Sequence, residues 1–207
     1  MEKAVRLCIS VFIAALLWFY MFSPWTSGLG NFWVNMSMAA LILTACALRG
    51  NDGIRPERGN IAVQLILGIA IAFALWGIFW VGDKLSQLMF AFARGQVDSV
   101  YGMKEGSSPV LIAILLLFII GPAEEYFWRG YVQKTISSLL GPTTAMFITA
   151  VVYALVHIWS FNFMLVMAAL VAGGVWGLIY RLRPSLLPAL IVSHAVWDAL
   201  VFVILPI

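Results

Sequence analysis

Glu124 and Glu125 stand side by side directly after the apolar run Val110 to Ile120. A carboxylate in a segment greasy enough to span hydrocarbon is costly to insert, so such residues face a protein interior or a wet cavity and mark functional sites. The chain's two histidines, His157 and His194, also lie in apolar segments, and Asp198 is the only acid in the last fifty or so residues. Carboxylates and imidazoles are the groups that position a water and take or return its proton.

If residues 124–129 are helical, Glu125 and Arg129 form an i, i+4 pair in the favourable orientation. Glu124 then points about 100° away around the helix. The two carboxylates are therefore expected to differ in role: Glu125 neutralised in a structural ion pair, Glu124 free to act as general base or acid. The competing reading makes both the head of a polar surface helix running into Gln133 and Lys134. His194 and Asp198 share a helical face at i, i+4, where the carboxylate is expected to fix the imidazole tautomer or share its proton. The alternative partner for Asp198 is Arg181 or Arg183.

His157 enters the set through a hairpin count. Gly141-Pro142 is a helix-stop and turn signal; Glu124 lies seventeen residues before Gly141 and His157 sixteen after it. Two antiparallel helices meeting there put the carboxylate and the imidazole at one height, within about one residue rise of 1.5 Å. The alternative is a buried histidine satisfied by a backbone carbonyl.

The elements that position these groups follow from composition. Of 207 residues, 63% are hydrophobic and 10% charged, far from the roughly 45–50% apolar and 25% charged of soluble domains. The expected architecture is an all-α, polytopic transmembrane bundle of about seven spans in one integral membrane domain, residues 1–207. The apolar segments run at about 7–22, 32–48, 61–81, 109–127, 143–160, 163–181 and 186–205. Glu124, His157 and the His194/Asp198 pair then fall on the fourth, fifth and seventh spans. A cleaved signal peptide competes for the first segment, but no small-x-small site follows Phe22. In the long connection from Gly82 to Ser108, Leu85, Leu88, Met89 and Phe92 have the spacing of one helical face; this predicts either an interfacial helix or an extension of the third span.

The net charge of +3 comes from basic residues scattered singly through short loops, which argues against nucleic acid as a partner and for a topology signal. With the N-terminus inside, Lys3, Arg6, Arg49, Arg55, Arg58, Arg129, Lys134, Arg181 and Arg183 lie on the inner side, against Lys84, Arg94 and Lys104 outside. That distribution places an N-in protein in the cytoplasmic membrane. Cys8 and Cys46 are isolated in apolar spans and suggest packing, not a disulfide or a metal site. Ala169, Gly173 and Gly177 form a small-xxx-small face on the sixth span, expected to press against a neighbouring helix near the site.

The motifs Glu124-Glu125-Tyr126-Phe127-Trp128-Arg129, Tyr153-x-x-x-His157 and His194-x-x-x-Asp198 resemble, in order and spacing, the CAAX prenyl protease and bacteriocin-processing family. Its pattern is EExxxR, then FxxxH, then HxxxN or HxxxD, and the resemblance covers about half the chain, from Pro109 on. It implies an intramembrane endopeptidase of glutamic type without a cofactor. Carried over, Glu124 and His157 activate water, His194 and Asp198 stabilise the oxyanion, and Glu125 with Arg129 supports the site; residues 109–207 are the catalytic core. The implied partners are the bilayer and a membrane-anchored protein or peptide: a prenylated tail, a leader or a C-terminal sorting signal. Two positions depart from the commoner pattern, Tyr153 for phenylalanine and Asp198 for asparagine. The alternatives are a zinc peptidase using Glu124, His157 and His194, disfavoured by the absence of an HExxH helix, and a non-catalytic immunity or transport-type membrane protein.

Overall fold

The computed structural model describes residues 2–50 and 59–207, so Arg55 and Arg58 of the charge count lie outside the described residues. Among the described residues, seven helices are long and apolar enough to cross a membrane: α1 (Glu2–Phe22), α2 (Phe32–Gly50), α3 (Ile61–Met89), α5 (Pro109–Leu140), α6 (Pro142–Ser160), α7 (Phe163–Leu182) and α8 (Pro184–Ile204). Between α3 and α5 lies a short helix, α4 (Ala93–Gly102). No strand occurs among the described residues. The protein is an all-helical, multi-pass membrane bundle.

The distribution of side chains is that of a bundle in lipid. Phe12, Ile66, Phe118 and Phe147 face outward, while Glu124, Glu125, Arg129, Gln133, His157, His194 and Asp198 are buried. Apolar surroundings welcome the first set and reject the second.

Helix boundaries follow local chemistry. Asn60 caps α3 by accepting from the Ala62 and Val63 N–H groups, and Asn162 caps α7 through Leu165 N–H. Pro109, Pro142 and Pro184 sit at helix starts, where a missing N–H costs nothing. Gly141 turns between α5 and α6 with φ of 86°, a conformation open to glycine. The third span continues through Met89, so Leu85, Leu88 and Met89 belong to its extension. Phe90 then adopts an extended conformation (φ −134°, ψ 116°) and the helix restarts at Ala93, which separates Phe92 from the face the spacing suggested. Cys46 packs against the core as expected; Cys8 is exposed and does not.

Helix α5 is not uniform. Wide π turns at Leu116–Ile120 and Tyr126–Gln133 flank the α-helical stretch Gly121–Glu125. The Gly121 N–H bonds the Leu116 carbonyl, five residues back. Such a turn accommodates Pro122, which has no N–H to donate and whose ring would crowd the carbonyl four residues earlier. The core joins α1, α2, α5, α6 and α7, and a second cluster, with Leu75, Trp176 and Leu190, joins α3, α7 and α8. Helix α8 packs closely on α3 and α5.

Candidate active site

One close approach sets the geometry. A Cβ on Gly121 would stand 2.6 Å from the Ala195 Cα, so the backbones of α5 and α8 meet with no side chain between them. One turn on from Gly121 lies Glu125, and next to Ala195 lies His194, whose Nδ1 is 3.1 Å from the Glu125 Oε2. The same oxygen accepts from Arg129 Nη1 at 3.1 Å, with both residues of the ion pair fully buried. Arg129 Nη2 donates to the Gly173 carbonyl at 2.9 Å, and its guanidinium lies against the rings of Tyr153 and Trp176.

The expected Glu125–Arg129 pair is thus present, despite the wide turn within which Arg129 lies. Its connection to His194 was hidden from helix-local spacing because the two residues lie 69 positions apart. Glu125 lies on the Nδ1 side of the imidazole and Asp198 on the Nε2 side. Asp198 Oδ2 lies 3.7 Å from His194 Nε2, an ion-pair distance too long for a direct hydrogen bond. The alternative partner Arg181 is turned instead to the Thr143 hydroxyl. Trp176 stacks on the imidazole of His194, with centroids 4.0 Å apart, and donates to Ser193 Oγ, so the ring has little freedom to rotate.

Glu124 takes a different neighbourhood. Its Oε2 accepts from the Tyr153 hydroxyl at 3.1 Å, so the hairpin brings the carboxylate level with the turn of α6 that carries Tyr153 and His157. His157 makes two hydrogen bonds: Nδ1 with the Tyr153 carbonyl at 2.8 Å, and Nε2 with Trp18 Nε1 at 2.9 Å. An indole N–H only donates, so Nε2 accepts and Nδ1 carries the proton. The backbone-carbonyl partner considered from sequence is therefore present. Trp18, fully buried on α1, was not foreseeable from any spacing.

Glu124, Tyr153, His157, His194 and Asp198 all line one cavity of about 580 Å³. Most of the wall is apolar, with Phe22, Trp33, Phe79 and Met164 among its members. The small face of α7 packs as its spacing suggested: a Cβ on Gly173 would lie 3.0 Å from Tyr153, and one on Gly177 3.2 Å from Gln133. Among the described residues no group of three His, Cys, Asp or Glu side chains is arranged to hold a metal ion.

The chain is thus a multi-pass membrane bundle with carboxylates and imidazoles round a largely apolar cavity. Residues 105–200 match the family model described as Rce1-like, type II CAAX prenyl endopeptidase Rce1-like. This match agrees with the resemblance of the three motifs and supports a CAAX-type intramembrane endopeptidase in general. No curated protein and no solved structure was found to match.

Proposed function

We propose that the protein hydrolyses a peptide bond in a membrane-anchored protein or peptide, by glutamic-type chemistry in the cavity that Glu124 and His194 share. The carrying observation is that sharing: a carboxylate held by one hydroxyl and an imidazole backed by a buried carboxylate line the same space.

Glu124 holds a water against the scissile carbonyl and takes its proton as the oxygen adds to carbon. His157 joins on the same water through Nε2 when the Trp18 hydrogen bond gives way to one from the water. The carbonyl oxygen, now an oxyanion, faces His194 and Asp198. There Glu125 fixes the imidazole from behind, so the donors need no reorganisation as charge develops. Collapse of the tetrahedral intermediate breaks the C–N bond, and Glu124 returns its proton to the leaving amine. Arg129 prevents Glu125 from standing as an isolated buried charge.

The apolar wall supports an apolar or lipid-bearing segment as substrate: a prenylated tail, a leader or a sorting signal. Residues 109–207 act as the catalytic core of a single domain, and the basic residues support an N-in arrangement in the cytoplasmic membrane. The test is cleavage of membrane-anchored peptides by the purified protein in detergent, with a metal chelator present. Cleavage that survives chelation and disappears in Glu124→Gln is the expected result. Loss of activity on chelation, restored by zinc, would return the zinc reading, and full cleavage by folded Glu124→Gln would remove Glu124 from the chemistry.

A further inference from the structure

Tyr153 stands where the family pattern commonly has phenylalanine, and its hydroxyl is therefore not part of that pattern. In this chain the residue touches both members of the proposed water-activating pair. Its hydroxyl donates to Glu124 Oε2 at 3.1 Å, and its backbone carbonyl lies 2.8 Å from His157 Nδ1. The ring is buried and held on several sides: Trp128 and His157 meet it edge-on, Arg129 lies over it, and Gly173 leaves room for it on α7. A phenol fixed in this way has few orientations left. Among the described residues, Glu124 is the only carboxylate to which its hydroxyl is bonded.

We infer that Tyr153 is a positioning residue, whose hydroxyl aims the Glu124 carboxylate while its carbonyl orients His157, so that one residue sets the relative placement of the pair. The inference rests on the reading of Glu124 as the base. A carboxylate on a three-bond side chain has several rotamers, and general-base catalysis needs one lone pair directed at the water. A donor on Oε2 holds the side chain and leaves Oε1 for the water. The same donor favours the ionised carboxylate over the neutral acid, which is the form a base requires. A phenylalanine provides the carbonyl half of this arrangement and not the hydroxyl half.

The consequence is separable from packing because Tyr153→Phe removes one oxygen and keeps the ring and the carbonyl. The charged groups round Glu124 are Glu125 and Arg129 from its own helix and His194 and Asp198 from α8, with His157 beside Tyr153 on α6. Helix α2, packed on the same stretch, turns Met36, Ala39, Ala40, Leu43 and Ala47 inward and adds no charge there. None of these partners changes in the variant. The expected result is a fall in kcat of about tenfold with KM nearly unchanged, and a shift of the acidic limb of the pH–kcat profile upward by about one pH unit, the effect of losing a hydrogen bond to a charged group.

The second measurement reads the bond without turnover. In the infrared spectrum, the carboxyl band identified by its loss in Glu124→Gln should move in Tyr153→Phe. Incorporation of 3,5-difluorotyrosine at 153, a stronger donor that keeps the hydroxyl, should move it the opposite way; this arm serves also if Tyr153→Phe does not fold. An unchanged acidic limb together with an unmoved band overturns the inference, as does a fall in activity accompanied only by lost thermal stability. If the wild-type protein cleaves nothing, the protease reading fails while the infrared arm still decides the bond. If the wild type cleaves and Tyr153→Phe matches it in kcat and profile, the positioning role fails and the protease reading stands.

Discussion

Replacing each of the adjacent glutamates by glutamine should separate folding from chemistry. Glu125 accepts from Arg129 and lies against His194 through the same Oε2, and all three residues are buried; among the described residues its Oε1 and the Arg129 Nε have no hydrogen-bond partner. Removing the charge in Glu125→Gln strands the guanidinium, and breaking a buried pair costs about 3–5 kcal/mol. The lower end applies, because the amide oxygen can still take one of the two bonds and Arg129 keeps the Gly173 carbonyl. Loss of the second bond, at His194, adds about 1 kcal/mol. The total of about 4 kcal/mol is a large share of the roughly 5–15 kcal/mol that holds a native protein together. At about 2–4 °C per kcal/mol for a chain of this size, the melting temperature should fall by about 10 °C. Glu124→Gln strands no cation and leaves a carbonyl oxygen for the Tyr153 hydroxyl, so its melting should stay within about 2 °C of wild type while cleavage is abolished. The assay is thermal unfolding of both variants in the same detergent, followed by fluorescence, beside cleavage and membrane yield. A stable, inactive Glu125→Gln with an unstable Glu124→Gln would refute the division of roles.

Three further outcomes follow from distances at the site. Asp198→Asn keeps a donor near His194 and should retain substantial cleavage with a flatter alkaline side of the pH profile, since an amide donates at every pH; Asp198→Ala should lose about 10²- to 10³-fold in kcat. Equal losses in the two variants would mean that the negative charge itself is required. Gly173→Leu forces atoms into the space between Tyr153 and Arg129 and should depress both melting temperature and activity; if it merely dissolves an oligomer, the face serves assembly instead. Gly121→Ala meets the Ala195 backbone, which cannot swing aside as a side chain can, so about 1–3 kcal/mol of destabilisation is expected together with a loosened Glu125–His194 contact. Wild-type melting and activity in that variant would show that α5 and α8 can separate at no cost.

The spans were legible because each is a long apolar run, and the Glu125–Arg129 pair because it lies within one helix. The Gly141-Pro142 turn also showed itself, since glycine and proline there have few other uses. What sequence reasoning missed lies between helices. Nothing near Glu125 points to His194, and nothing near His157 points to Trp18; both contacts depend on how α8 and α1 settle against the rest. Tyr153 was visible as a departure from a motif, yet its bond to Glu124 depends on two helices crossing at one height. The wide turns in α5 escaped because apolar periodicity does not distinguish them from regular helix, although Pro122 after Gly121 was a local sign. The break at Phe90 lies in a sequence that still has helical spacing on either side, so spacing alone could not place it.

The walls of the cavity draw on more of the chain than residues 105–200. Phe22 and Trp33, Phe79 and Asp83, and Tyr101 come from before that stretch and face the same space as Glu124 and His194. On the reading proposed above, the acid–base groups belong to the second half of the protein, while the first half supplies part of the wall that a substrate would meet. On that reading, changes at these wall positions, with Trp18 kept because it bonds His157, can reshape what fits while leaving the acid–base groups in place, so two proteins alike in their motifs are free to diverge in what they cut. A fragment holding the motif half alone would carry the reacting groups with one side of their chamber missing. Exchanging wall residues of the first hundred between such proteins, with Trp18 kept for His157, is accordingly a route to new selectivity.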